Sequence, residues 1–265
     1  MRLENSFIGV RGVGEQCERN LWRAGVTHWD EFDRATAAAE AAGVGETTAD
    51  RIESFLANAR ERLDDGDSAF FGERFPSGER WRLYENFRDE TLFFDIETTG
   101  LDEHRNHVTT VSFHVGGETT TLVRGRDLTA ERVREQFRDA SMVASFNGAR
   151  FDVPFLDAEL GVTPDVPHLD LMYPCRRIDL TGGLKCIERD VGLERDQPDI
   201  SGEDAVRLWY EYRDGDERAL ETLVEYNRDD TRNLQALADE VVARLDDHVV
   251  PRDAPGLPAA TQSSR

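Results

Sequence analysis

The sequence predicts an α/β fold, a mixed sheet flanked by helices, with a small all-α domain in front of it. Two observations carry this. Apolar residues recur at helical spacing through the first 64 residues, whereas from Thr91 they gather in short alternating or apolar runs, the mark of strands. Helical segments then interleave with strands up to about residue 248, so an antiparallel portion leads into an alternating one.

In residues 1–64 the helical positions are Leu21, Trp22 and Ala24, then Trp29 and Phe32, then Ile52, Phe55 and Leu56. Residues 65–90 mix Gly, Pro and charge with six aromatics and read as a connecting segment lying on a surface. LFFDIE, HVTTVSFHV and ETTTLV are strands, and Gly116-Gly117 turns the second into the third as a hairpin. A helix follows over about 129–139, then a buried strand in MVASFN, a helix from near Arg150 and a short strand in HLDLM. Helices are predicted over about 183–190, 203–213 and 217–246. These elements make one domain, 91–248, and the polar, Pro-rich tail 249–265 is expected to be disordered.

The chain has 265 residues, with 54 acidic residues against 32 basic ones and a formal charge of −22. Lys185 is its single lysine. An acidic, Lys-poor, Ala/Gly/Val-rich chain resembles the proteins of salt-in haloarchaea; an ordinary acidic protein of a GC-rich genome has similar features. Strong acidity argues against a nucleic-acid partner in dilute salt. At molar salt, where the Debye length is about 3 Å, that objection loses its force and local contacts decide. No apolar run approaches the roughly 18 residues of a membrane span, and the first 25 residues carry charges throughout, so neither a membrane protein nor a Sec-type signal peptide is expected. Cys17, Cys175 and Cys186 are odd in number and far apart, so neither a disulfide framework nor a zinc cluster is expected; a reducing cytoplasm is.

Carboxylates recur where a divalent cation would need them. In LFFDIETTG (92–100), Asp95 and Glu97 leave the same face of a strand while Phe94 and Ile96 leave the other. Two acids on an otherwise apolar strand call for compensation, most simply a divalent cation; an edge strand with solvated acids is the alternative. In ASFNGARFDVPFL (144–156), Asn147 and Gly148 break a strand and open a helix with Asp152 in its first turn. There the helix dipole favours a carboxylate, which could also project back over the strand end. In EYNRDDTRNLQAL (225–237), Tyr226 and Asp230 are four apart and share a helical face. Asp230 borders the stripe Leu220, Leu223, Leu234, Leu237 and Val241, with Asp229 about a hundred degrees away. Taken alone, Asp152 also fits a helix-start acid, Asp230 a solvated one, and Tyr226 a half-buried core residue.

DIETTGL, FNGxxFDxPFL and YxxxD in that order resemble the DnaQ-like, or DEDD, 3′–5′ exonuclease superfamily with its ribonuclease-H-like fold, over roughly residues 90–246. HLDLMYPCRR (168–177), GGLKCIERDVGLER (182–195) and YNRDDTRNL (226–234) resemble its YprB-type branch. The resemblance implies that Asp95, Glu97, Asp152 and Asp230 hold metal and that Tyr226 orients the attacking water. A sister subclass has a His five residues before the last Asp; here Glu225 stands there, so the tyrosine variant fits. Hydrolysis of a phosphodiester suits such a set, because two Mg²⁺ or Mn²⁺ ions about 4 Å apart serve both attacking and leaving oxygens.

Weaker signals accompany these. By resemblance the turn of Thr99 and Leu101 packs against the terminal nucleotide, Asn147 positions substrate or caps its helix, and Asp170 matches a family position or is a strand-end acid. Lys185 fits a phosphate contact that a guanidinium would fill badly. Arg176 and Arg177 are plausible backbone contacts, whereas His104 and His107 have metal-like spacing but no matching partners. In the N-terminal part, FIGVRGVGEQCERNLWRAGVTHW (7–29) resembles a helix–hairpin–helix, and Gly43-Val44-Gly45 opens a second helix. Backbone N–H groups at Gly12, Gly14, Gly43 and Gly45 could then face nucleic-acid phosphates, although few residues precede the first turn. The expected function is a metal-dependent nuclease acting on a single-stranded 3′ end of DNA or RNA. The alternative is a catalytically silent nucleic-acid-binding or adaptor protein on the same fold.

Overall fold

A computed structural model describes residues 1–196 and 200–254; from residue 255 on, the tail expected to be disordered lies outside the described residues. The chain forms two compact units, Met1–Arg88 with the chain from Val241 on, and Asp89–Glu240.

In the first unit, helices α1 (Glu15–Arg23) and α3 (Glu46–Asp64) carry the predicted positions Leu21 and Trp22 and Ile52, Phe55 and Leu56, whereas Trp29 lies in a 3₁₀ turn, Phe32 just past it, and α2 (Arg34–Glu40) follows them. Gly12 and Gly43 take left-handed φ values of 95° and 85°, and Gly14 and Gly45 are the N-caps of α1 and α3. Residues 65–90 differ from the expected connector. They fold into α4 (Ser68–Arg74) and α5 (Tyr84–Phe87), with 3₁₀ turns at Ser77–Leu83 and Arg88–Glu90. Phe71, Trp81, Leu83 and Tyr84 are fully buried there. Aromatics carry enough apolar area to drive burial, while the interspersed Gly and Pro keep the helices too short to leave a readable period. The buried Arg82 guanidinium meets Glu18 at 3.0 Å.

The second unit is built on β1 (Thr91–Thr98), β2 (Val108–Val115), β3 (Glu118–Val123), β4 (Met142–Ser145) and β5 (His168–Asp170). Their order is β3-β2-β1-β4-β5, antiparallel from β1 through β3 and parallel from β1 through β5. Gly116 and Gly117 both take positive φ, as a two-residue hairpin loop of primed type requires. Helices α6 (Ala130–Arg138), α7 (Asp152–Leu160), α8 (Met172–Arg177), α9 (Leu184–Val191), α10 (Gly202–Arg213) and α11 (Glu217–Val249) complete it; α11 runs three residues beyond its expected end and leads into the first unit. One face of the sheet, with Leu92, Phe94, Ile96, Val111 and Phe113, packs on Val133, Phe137, Phe155 and Leu156 of α6 and α7. The other face is polar and meets α11: Thr110 Oγ1 donates to Asn227 at 3.0 Å, and His114 Nε2 lies 3.0 Å from Gln235. Leu208 and Trp209 of α10 pack with Leu220, Leu223 and Tyr226 of α11.

The connections run outward from β1 through β2 to β3, then return across β1 to β4. In open α/β sheets the carboxyl ends of strands flanking such a reversal form a crevice that receives ligands. Here that crevice lies between the ends of β1 and β4. Among the described residues no helix is long and apolar enough to cross a membrane, and Cys17, Cys175 and Cys186 form no disulfide.

Candidate active site

β1 carries Asp95 and Glu97 on the polar face, with Glu97 buried and Asp95 partly so. The pairing with β2 slips between Glu97 and Thr98, a bulge beside the second carboxylate after which Thr98 pairs with Val108. The chain then turns tightly: Thr98 Oγ1 donates to the Gly100 carbonyl at 2.6 Å, and the His107 N–H donates to Thr99 Oγ1 at 2.9 Å. This turn presents Leu101 at 85% exposure.

β4 stops its pairing at Phe93↔Ala144, so β1 outruns it. Beyond that point the Ile96 N–H donates to Asp152 Oδ1 at 3.2 Å, which sets the Asp152 carboxylate against the backbone between Asp95 and Glu97. The loop that delivers it is held from below by Asp170, which accepts from the N–H groups of Asn147 (2.7 Å), Ala149 (3.2 Å) and Met172 (3.1 Å). Asn147 itself adopts a left-handed φ of 63°. A Cβ on Gly148 would lie 2.2 Å from Ser145 Oγ, 2.8 Å from Ser145 Cβ and 3.3 Å from Asp152 Cγ. Ser145 is buried and its hydroxyl is engaged with His168 Nε2 at 2.7 Å, so it has little room to yield. Gly148→Ala should therefore displace Asp152, lowering any activity that depends on it by roughly 10²-fold. Stability should fall by about 1–3 kcal/mol, read by denaturant unfolding.

From α11, Asp230 reaches the β1 pair: one oxygen each of Asp95, Glu97 and Asp230 lie within 4.8 Å of one another. Asn227, fully buried one turn earlier, donates to Asp95 Oδ2 at 2.8 Å and so fixes that carboxylate. Tyr226 is buried on the same helical side. Lys185 of α9 places its Nζ 4.8 Å from the centre of the Tyr226 ring. Arg195 pairs with both Asp230 and Glu188. Asp229 is buried too, but it takes Arg232 Nη2 at 2.6 Å.

These groups repel one another. Burial, then the charges of Asp152, Asp230 and Glu97, hold Asp95 well above the usual carboxylate range. Burial with Asp230 and Asp152 does the same to Glu97, opposed by Lys185 and Arg195. Burial lifts Asp152 to about 7 against the Ile96 hydrogen bond, and lifts Asp230 to about 6 against Arg195. The Tyr226 phenol is pushed far up by burial and by Asp230, Glu97 and Asp95, so it keeps its proton. Burial and Arg195 lower Lys185. A site in which carboxylates hold protons near neutrality is a site short of positive charge.

Residues 92–242 match the family RNase_H_2, described as RNase_H superfamily. The chain belongs to the ribonuclease H superfamily. Among solved structures, the family B DNA polymerase of the hyperthermophilic archaeon Pyrobaculum calidifontis aligns at 20% identity and a TM-score of 0.49, covering 64% of this chain and 26% of the polymerase. A structure described as the apo form of the nuclease aligns at 24% identity and a TM-score of 0.44, over 58% of this chain and 72% of that one. Brucella melitensis NrnC with bound Mg²⁺ aligns at 22% identity and a TM-score of 0.33, over 62% and 88%. This chain thus spans about a quarter of the polymerase. No curated protein matches it.

Within the ribonuclease-H-like unit, the structure brings Asp95, Glu97, Asp230, Tyr226 and Lys185 together, with Asp152 against β1. It ties Asp170 into loop support. His107 Nδ1 meets Glu159 at 3.1 Å. Asn227, Glu188 and Arg195 escaped the sequence reading. Each lay inside a quoted motif, but an Asn beside a Tyr, or an Arg in the chain beyond a helix, carries no periodic or charge signal of its own.

Proposed function

We propose that this chain is a metal-dependent nuclease that hydrolyses phosphodiester bonds, acting as a 3′–5′ exonuclease of the DnaQ-like tyrosine variant on single-stranded 3′ ends. The observation that carries this is the approach of Asp95, Glu97 and Asp230 within 4.8 Å, with Asp152 fixed over the intervening Ile96. The donors are all carboxylate oxygens, which suits Mg²⁺ or Mn²⁺. Five acids, Asp95, Glu97, Asp152, Asp230 and Glu188, face two cations, Lys185 and Arg195, which with every acid ionised is an excess of three negative charges. Two divalent ions and one phosphodiester monoanion would close that balance. When bound, such ions supply a nucleophile at neutral pH and neutralise charge on the leaving oxygen.

The residues divide the remaining work. Asp95, Glu97, Asp152 and Asp230 hold the ions. Tyr226, kept protonated, donates a hydrogen bond to the attacking water and sets its line. Leu101 offers an exposed apolar surface to the terminal base, on a turn that Thr99 braces. Asn147 and Lys185 contact the sugar–phosphate chain. In the first unit, the N–H groups at Gly12, Gly14, Gly43 and Gly45 face phosphates as in a helix–hairpin–helix. A Cβ at Gly14 or Gly45 would meet nothing within 4 Å, and Asp is a good N-cap, so Gly14→Asp with Gly45→Asp should fold normally. The pair should weaken duplex DNA binding at least about tenfold, read by anisotropy, by repelling phosphate. Unchanged affinity would remove that contact.

The decisive test is cleavage of 5′-labelled DNA and RNA of equal sequence in molar KCl with Mg²⁺, Mn²⁺ or EDTA. A metal-dependent ladder shortening from the 3′ end is expected. A folded protein that binds both strands and cuts neither would instead be an adaptor.

A further inference from the structure

We infer that Arg195 contacts substrate in this site, binding a phosphate oxygen of the nucleic acid through its free amine. This deepens the nuclease reading and rests on it. The Arg195 side chain is only 6% exposed. Its Nε and Nη2 engage Glu188, with Nη2 3.2 Å from Glu188 Oε1, and Nη2 also engages Asp230. Glu188 is fully buried on α9, so the planar fork is held rigidly. Nη1 is buried and has no hydrogen-bond partner among the described residues. A desolvated guanidinium amine left unpaired is unfavourable, and native structures rarely keep one without a reason.

The location says what the missing partner is. Nη1 belongs to the guanidinium that touches Asp230, one of the three clustered carboxylates. Lys185 lies close enough for Arg195 to lower its proton affinity, so two cationic side chains flank the acids. A donor edge with fixed orientation, beside a second cation and a metal-holding cluster, matches a non-bridging phosphate oxygen. The same chemistry would take a nucleoside monophosphate or inorganic phosphate, and the test separates these sources.

Wild-type protein, Arg195→Met and Arg195→Lys are titrated with a fluorescein-labelled oligothymidylate in EDTA and in Ca²⁺, following anisotropy. A second oligonucleotide carries an uncharged methylphosphonate at the 3′-terminal linkage; thymidine monophosphate and phosphate serve as competitors. Loss of at least about tenfold in affinity for the phosphodiester strand in Arg195→Met, with less than about twofold for the methylphosphonate strand, is expected. Arg195→Lys should fall between, and it carries the test should the Met variant not fold. Phosphate and the monophosphate should compete only at much higher concentration than the strand. Equal losses on both strands would mark Arg195 as a structural counter-ion and overturn the inference, as would no loss at all or no binding by wild type. Wild-type binding without cleavage in Mg²⁺ or Mn²⁺ would instead sink the nuclease reading while leaving the Arg195 contact standing.

Discussion

Replacing Asp95 with Asn is expected to lower cleavage by at least about 10³-fold while raising the melting temperature of the metal-free protein. The two effects have one cause. Asp95 is crowded by Asp152, Asp230 and Glu97, and its burial among them limits its hydration. Removing one ionisable group relieves that repulsion in the folded state, and the unfolded chain gains nothing comparable. The amide is isosteric, and its oxygen can still accept from Asn227 Nδ2, so the packing beneath the site survives. Each kcal/mol relieved should appear as roughly 2–4 °C for a chain of this size. Calorimetry in EDTA beside a cleavage assay reads both. A variant that cleaves at near wild-type rate would remove Asp95 from the metal set. A variant that melts lower without metal would mean that the carboxylates do not strain the fold.

The part of this site legible in sequence was the part set by local geometry. A strand puts Asp95 and Glu97 on one face whatever surrounds it, and a helix does the same for Tyr226 and Asp230. The polar character of the opposite sheet face also shows in the strand pattern, because Phe94 and Ile96 alternate with the acids. What stayed hidden depends on elements distant in sequence coming together. Asn227 matters because Thr110 and Asp95 arrive on either side of it from different strands. Arg195 matters because Glu188 and Asp230 converge on one guanidinium from α9 and α11. Residues 65–90 were hidden for another reason: their helices are too short for a period to accumulate, and their burial comes from single large aromatics such as Trp81 and Tyr84. Asp170 illustrates the reverse case, a motif acid whose oxygens the structure spends on three backbone N–H groups.

Metal-free protein should lose stability as pH rises from about 5 to 8, and divalent metal should reverse the trend. In the unfolded chain these carboxylates ionise near pH 4. Folded, Asp152 holds its proton to about 7 and Asp230 to about 6, with Asp95 and Glu97 also raised. The folded state therefore binds more protons than the unfolded one across that interval. Its stability is fullest below the unfolded values and is lost as pH climbs through 6 and 7. A divalent ion replaces those protons, so its binding releases protons and tightens with pH over the same window. Melting scans in EDTA at pH 5 and 8 should differ by several degrees, with the lower value at pH 8. Calorimetric titrations with Mn²⁺ in buffers of different ionisation enthalpy should show proton release that shrinks toward pH 8. The chain carries 54 acidic residues, so surface repulsion also varies with pH; molar KCl screens it, and Asp95→Asn isolates the site's share. If that variant shows the full wild-type slope, the dependence belongs to the surface and the cluster is not the proton store. If the slope flattens and proton release falls with it, the same carboxylates hold protons in the metal-free protein and cations in the loaded one.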